Sequence, residues 1–375
     1  MRAVSLRVVH VLEAVQFGTV RYLRGIVRHV DAEHVVVLAP EGSGRYFDRA
    51  ALDGMRADGA RIVFVPMRRS PVAPQNALAV ARVHRLIRRE RPAVVHGHSS
   101  IGGVVARAAV PGTGVPAVYT PNGLFPSRPA LALERALGRV TRFLIATSPS
   151  EADVVLAERL VPPARLVTIP NGVDLEVPEP IGLRDRLGVP TGALLVGNVG
   201  RLAPQKAPEV YVRACALVAA THPDAHFVLI GDGELADLVD REVAAGGFGG
   251  RFHHLRLPSG GEAAMAELDV FVMSSRYEGA AYAPMEAMRA RVPVVLTDVV
   301  GNRDAIEAGV SGLLAPPDDP TALAGEIGRL LADPGLRADI GEHGHRRVAD
   351  LYDLRALADQ LERLYRSAAG LPVPS

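Results

Sequence analysis

Short aliphatic and β-branched runs alternate with amphipathic helical stretches from one end of this 375-residue chain to the other. In the first half they read LRVVHVL, EHVVVLA, ARIVFVP, AVVHGH, AVYT, FLIAT and LVTIP. In the second they read ALLVGNV, HFVLIG, FHHLRL, DVFVM, PVVLTD and GLLA. A run that is apolar at nearly every position suits a strand buried on both faces, and a helix between two such strands is the connection that parallel pairing requires. The pattern predicts an α/β chain of parallel sheets wrapped by helices.

The length allows two or three cores. Residues 171–190 (NGVDLEVPEPIGLRDRLGVP) carry repeated Gly and Pro and no long apolar run, which predicts a hinge. The expected division is a Rossmann-like domain over 1–175, a second over 176–350, and a terminal helix over 351–375 packing back on the first. Ligands of open parallel sheets sit beyond the carboxyl ends of the strands, so two facing sheets would make a cleft walled by strand-end loops. The first half is rich in Arg and the second in Asp and Glu, yet the net charge is only +1, which gives nucleic acid no overall support. A single cysteine, Cys215, excludes a disulfide framework, and its helical surroundings point to a buried thiol. The N-terminal apolar stretch is broken by Arg7 and His10 and reads as a strand, not a signal peptide. No run approaches the roughly 18 apolar residues of a membrane span, so a cytoplasmic location is expected.

Three strand-end sequences carry possible chemistry. HFVLIGDGELADLV (226–239) sets Gly231-x-Gly233-x-x-Ala236 between a strand and a helix, close to a dinucleotide fingerprint. That fingerprint wants an acid at the end of the next strand, whereas FHHLRL ends in Arg256 and Leu257, which argues against NAD. SSRYEGAAYAPMEAMRARVPVVLTDVVGNRD (274–304) is more specific. Glu278 follows an apolar strand in a loop where a carboxylate has no evident structural duty. Glu286 comes eight residues later, in the first turn of a helix that Pro284 is expected to open, where the helix dipole also favours an acid. Between them Ala280, Ala281 and Tyr282 bring backbone N–H groups to a helix N-terminus, where an anion can bind. Carboxylates accept hydrogen bonds from vicinal hydroxyls, so the set reads as a phosphate between two polyols. The third sequence, NVGRLAPQKAPE (198–209), holds Arg201 and then Lys206, the one lysine among 42 basic residues. In a chain that otherwise uses Arg, a lone Lys marks a place for a compact point charge in preference to a planar fork.

Glu278-x7-Glu286, GRLAPQK and IPNGVD together resemble the retaining glycosyltransferases of family 4, with the GT-B architecture. The similarity runs from HVLEAVQFG through VVHGHSSIGG, VYTPNG and SPSEAD to the terminal helix. It implies a nucleotide-sugar donor, no metal, and retention of anomeric configuration through same-face displacement, with a phosphate oxygen taking the acceptor's proton. Carried over residue by residue, Glu278 would bind donor-sugar hydroxyls, Glu286 the ribose, and Arg201 and Lys206 the diphosphate. The base would lie near Arg256 and Leu257, with uridine favoured over guanosine. The acceptor, a small molecule or a glycan, is left open. An epimerase or sugar phosphorylase on the same architecture is the nearest alternative, and an NAD-dependent oxidoreductase the more distant one.

Several positions depart from the family pattern. The usually glycine-rich first loop reads Gln16-Phe17-Gly18-Thr19, keeping Gly18 where backbone would meet the diphosphate. Asn122 in VYTPNG stands where many relatives have His, and it cannot shuttle a proton near neutral pH. Ala280 and Tyr282 replace the common Phe and Leu, and Asp304 a common Glu. His98, at the end of a strand, is expected on the acceptor side, with His96 on the same face. A histidine metal site is not expected, because no acidic partner lies at ligand spacing. The basic helix over 76–92 (Arg82, Arg85, Arg88, Arg89, Arg91) reads as a solvated face more than as a membrane contact, and Arg68 and Arg69 follow a strand toward the acceptor side.

Overall fold

The computed structural model describes residues 6–13, 17–42, 47–68, 73–124, 127–256 and 261–373. The chain forms two compact units. One holds the residues up to Gly172 together with the segment from Leu354 onward, and the other is Val173–Asp353.

The first unit is built on β1 (Arg7–Leu12), β2 (Glu33–Leu38), β3 (Arg61–Phe64), β4 (Val94–His98), β5 (Ala117–Thr120), β6 (Thr141–Ala146) and β7 (Leu166–Thr168). They form one parallel sheet in the order β3-β2-β1-β4-β5-β6-β7. The terminal helix Leu354–Ala369 belongs to this unit and buries Leu357, Ala358, Leu361 and Tyr365, one stripe at helical spacing. It is separate from the preceding helix Pro334–Leu351, so the expected continuous helix from 351 is interrupted at Tyr352–Asp353.

The second unit carries β8 (Leu195–Val199), β9 (His226–Ile230), β10 (Phe252–Leu255), β11 (Val270–Met273), β12 (Val294–Thr297) and β13 (Leu313–Ala315). These are parallel in the order β10-β9-β8-β11-β12-β13. Alternation along β11 divides its side chains between two cores: Val270 and Val272 pack on one face of the sheet, Phe271 and Met273 on the other. The 171–190 segment is not all linker. Helix Leu183–Leu187 forms within it, and Glu267 accepts hydrogen bonds from the N–H groups of Ile181 (2.8 Å) and Leu183 (2.7 Å).

The basic helix spans Pro74–Glu90 and leaves Arg91 outside as a left-handed cap (φ 46°). Its Arg82, Arg85, Arg88 and Arg89 are exposed, opposite buried Ala79, Val83, Leu86 and Ile87. No helix among the described residues is long and apolar enough to cross a membrane.

Candidate active site

In the second unit the strand order turns at the β8/β11 boundary. From β8 the chain adds β9 and β10 on one side, then returns to add β11 to β13 on the other. Loops leaving the carboxyl ends of the two strands at such a point diverge and leave room for a ligand. The loop after β8 carries Arg201 and Lys206, and the loop after β11 carries Glu278, Ala280 and Ala281.

The two loops are joined by charge. Lys206 Nζ lies 2.5 Å from Glu278 Oε1, with Glu278 6% and Lys206 27% exposed at their side chains. Around this pair the backbone is held tightly. Arg276 donates from its backbone to Gln205 O (2.8 Å) and from its guanidinium to Pro204 O, Glu209 and Asp318. Ser274 Oγ lies within hydrogen-bonding distance of the carbonyls of Lys206 (3.0 Å) and Ala207 (2.9 Å), beside the left-handed turn at Ala207 (φ 45°). Gln205 Nε2 reaches Tyr277 O at 3.1 Å. Ser274, Arg276 and Gln205 escaped the sequence reading, although Arg276 stands two residues before Glu278.

The glycines of GDG have a use other than a dinucleotide. A Cβ on Gly231 would fall 1.9 Å from Gly200 O, and one on Gly233 would fall 2.4 Å from Leu202 O. They are small because the Arg201 loop lies directly on them, tied by Gly200 N to Ile230 O and Leu202 N to Asp232 O, both 3.0 Å. Arg201 itself is exposed. Arg256, also exposed, pairs with Asp240 at 3.0 Å. Asp240 contacts His254, whose other nitrogen meets Gly231 O at 3.2 Å. Leu257 lies outside the described residues, as do Gln16 and Arg69.

The helix over Glu286 differs from the expectation. It begins at Tyr282, two residues before Pro284, and Glu286 falls beyond its first turn, 3% exposed. Pro284 is tolerated because the first four N–H groups of a helix have no partner inside it. The helix dipole at the first turn therefore does not account for this carboxylate.

In the first unit Gly18 is the second residue of helix Phe17–His29. Asn122 adopts a left-handed conformation (φ 55°), which Asn tolerates better than most residues, and its buried Nδ2 has no hydrogen-bond partner among the described residues. The next residue, Gly123, is pinned through its N–H to Glu151 (2.9 Å), which also accepts from Thr147. Arg68 is exposed.

His98, expected on the acceptor side, is instead fully buried. It does share a face with His96, the rings 3.9 Å apart, but that face is covered by Tyr22 of helix Phe17–His29 and by Tyr365 of the terminal helix. His10 of β1 joins them, 3.0 Å from His98. Ligand spacing along the chain does not disclose this cluster, because β1 is registered against β4 from 88 residues away. Burial first, and then the neighbouring imidazoles (His34 and His98 for His10, His10 for His96, His96 for His98), hold the pKa values of His10, His96 and His98 well below the usual imidazole value.

Two family models match the chain in succession: Glycosyltransferase Family 4 over residues 18–177 and Glycosyl transferases group 1 over 182–347. The chain is 27% identical over 326 residues to a UDP-Gal:alpha-D-GlcNAc-diphosphoundecaprenol alpha-1,3-galactosyltransferase of Escherichia coli, covering 82% of this chain and 84% of that protein. It is 32% identical over 278 residues to a D-inositol 3-phosphate glycosyltransferase of Acidothermus cellulolyticus, covering 66% of this chain and 61% of that one. In fold it is similar to Anabaena HepE, solved in complex with UDP, with a TM-score of 0.82, 21% identity, and 96% of this chain and 100% of that chain covered.

Proposed function

Because the chain belongs to the family 4 glycosyltransferases of GT-B architecture, we propose that it transfers a hexose-type sugar from a UDP sugar to an acceptor hydroxyl, with retention and without a metal ion. The observation that carries this reading is the Lys206–Glu278 pair at the β8/β11 boundary, a cation and a nearly buried carboxylate side by side. The relative that uses UDP-Gal, by its name, supports the uridine nucleotide.

As the glycosidic bond breaks, negative charge develops on the diphosphate. Lys206 and Arg201 stabilise it, which is preorganised electrostatics more than acid–base chemistry. Glu278 orients the sugar hydroxyls, Glu286 anchors the ribose, and Arg256 lies on the side of the base. The acceptor oxygen attacks from the face the diphosphate leaves and gives its proton to a phosphate oxygen, so no protein base is required. Asn122, with its unpartnered Nδ2, is the acceptor-side contact in place of His98.

The test is incubation with UDP sugars and a panel of hydroxyl acceptors, with and without EDTA. The expected result is acceptor-dependent UDP release, unchanged by EDTA, and a product whose anomeric configuration by NMR matches the donor. An inverted product, or a rate abolished by EDTA and restored by a divalent ion, removes this mechanism.

A further inference from the structure

A strip of four histidines lies in the core of the first unit, between the sheet and two helices, and none of the roles above uses it. His10, His96 and His98 are fully buried and His34 is 6% exposed. Their hydrogen bonds can be followed from one end. Val30 O can only accept, so the nearby Nε2 of His34 (3.1 Å) donates to it. A neutral His34 then accepts at Nδ1 from His10 Nε2, 3.0 Å away. His10 in turn accepts at Nδ1 from His98 Nε2, also 3.0 Å away. This leaves His98 Nδ1 as a bare lone pair, buried and without a partner among the described residues. His96 sits beside the chain, with Tyr365 Oη at 2.6 Å and Thr120 Oγ1 at 2.8 Å from its two nitrogens.

The three rings are near enough to close on one ion. One nitrogen from each of His10, His96 and His98 lies within 4.8 Å of the others. Three nitrogens around one ion, at bonds of about 2.0–2.1 Å, lie roughly 3.5 Å apart. The 3.0 Å gap between His10 and His98 widens by about half an ångström, and the His96 ring moves in from a separation of up to 4.8 Å. An outer shell is in place as well, because His10 passes its second N–H to His34, and His34 passes its own to a backbone carbonyl, the arrangement that orients ligating imidazoles.

The charge balance selects the ion. Tyr22, Thr120 and Tyr365 face the three rings from the neighbouring elements, and among the described residues no carboxylate acts on His10, His96 or His98. The self-energy of a buried ion rises with the square of its charge, so three neutral imidazoles without an anion hold a monovalent ion far more cheaply than a divalent one. Imidazole ligands suit zinc and copper alike, and of these copper has the monovalent state. We propose that His10, His96 and His98 form a site for one copper(I) ion, joining β1 to β4 beneath the terminal helix. When the ion enters, the proton on His98 Nε2 moves to the bare Nδ1, and His96 gives up one of its two hydrogen bonds, so no proton is released. The site is independent of sugar transfer.

The experiment uses the full chain with Cys215→Ser, which removes the one competing thiol. Copper(I) is supplied anaerobically from a coloured chelator, and silver(I) serves as a monovalent probe that does not oxidise. One equivalent is expected to leave the chelator, and imidazole nitrogen NMR should show the signals of His10, His96 and His98 moving while His222, His226, His253 and His254 stay. His98→Leu should weaken uptake by about 100-fold. If that variant fails to fold, the NMR of the histidine-intact chain decides alone. No uptake, or shifts at other histidines, overturns the site. Tighter binding of zinc than of copper(I) overturns the charge argument.

Discussion

Replacing Glu278 by Gln should tighten the binding of free UDP while it depresses transfer. In the proposed reaction Lys206 serves the diphosphate, yet in this structure its ammonium is committed to a carboxylate 2.5 Å away. UDP must therefore draw Lys206 away from Glu278. The pair lies between two regimes, since Glu278 is almost buried and Lys206 about a quarter exposed. An exposed pair contributes up to about 1 kcal/mol, and breaking a buried one costs about 3–5 kcal/mol. Discounting for the exposed lysine, about 1–2 kcal/mol is spent on the competition. Removing it should lower the Kd for UDP by roughly 5- to 30-fold. Gln keeps the shape and an acceptor oxygen, so the loop should stay in place. Titration calorimetry with UDP in metal-free buffer, at low and moderate salt, reads the affinity, and steady-state kinetics with a UDP sugar reads the transfer. Opposite signs in the two assays are the signature. Glu278→Gln losing UDP affinity as badly as Lys206→Ala would refute the reasoning, because the carboxylate would then be holding the lysine in place for the nucleotide and not competing for it.

Lys206→Ala should reduce turnover by roughly 10²–10³, the scale for one lost donor to developing charge, and Lys206→Arg should not restore it; a fully active Arg variant removes the compact-cation argument. Gly301→Ala would set a Cβ 1.9 Å from Gly279 O, next to Glu278, and should cost about 1–3 kcal/mol in chemical denaturation and weaken donor binding; an unchanged denaturation midpoint refutes that contact. In the metal-free protein, burial lowers the pKa of His10, His34, His96 and His98 below about 6.5, so below that pH the unfolded chain binds protons that the folded one excludes. Stability should be level above about pH 6.5 and fall as the pH drops through 6 to 5, and a urea midpoint that does not change over that range refutes the neutral cluster.

The fold class was legible because its signal is local. Each of the thirteen aliphatic runs, read without reference to any other, is a strand of one of the two sheets. Glu278, Glu286 and Lys206 also stood out locally, as carboxylates at a fixed spacing and as a lysine among arginines. Local reading failed where a residue's setting depends on what packs over it. Pro284 reads as a helix opener, yet the helix starts two residues earlier and moves Glu286 out of its first turn. The two glycines of GDG looked like a nucleotide signature, whereas close approach of the Gly200–Leu202 backbone accounts for them.

Sequence alone determined which segments are strands, that they pair in parallel, and which polar residues follow them, since hydrophobic continuity and loop position are properties of neighbours along the chain. Only the tertiary structure decided that Lys206 meets Glu278 across 72 residues, because that depends on β8 and β11 lying side by side while β9 and β10 are laid on the far edge. It likewise decided that His98 turns inward to His10 and His96, under Tyr22 of the helix Phe17–His29. Strand order and register are set by the summed burial of both sheet faces, and no single run of residues carries that sum.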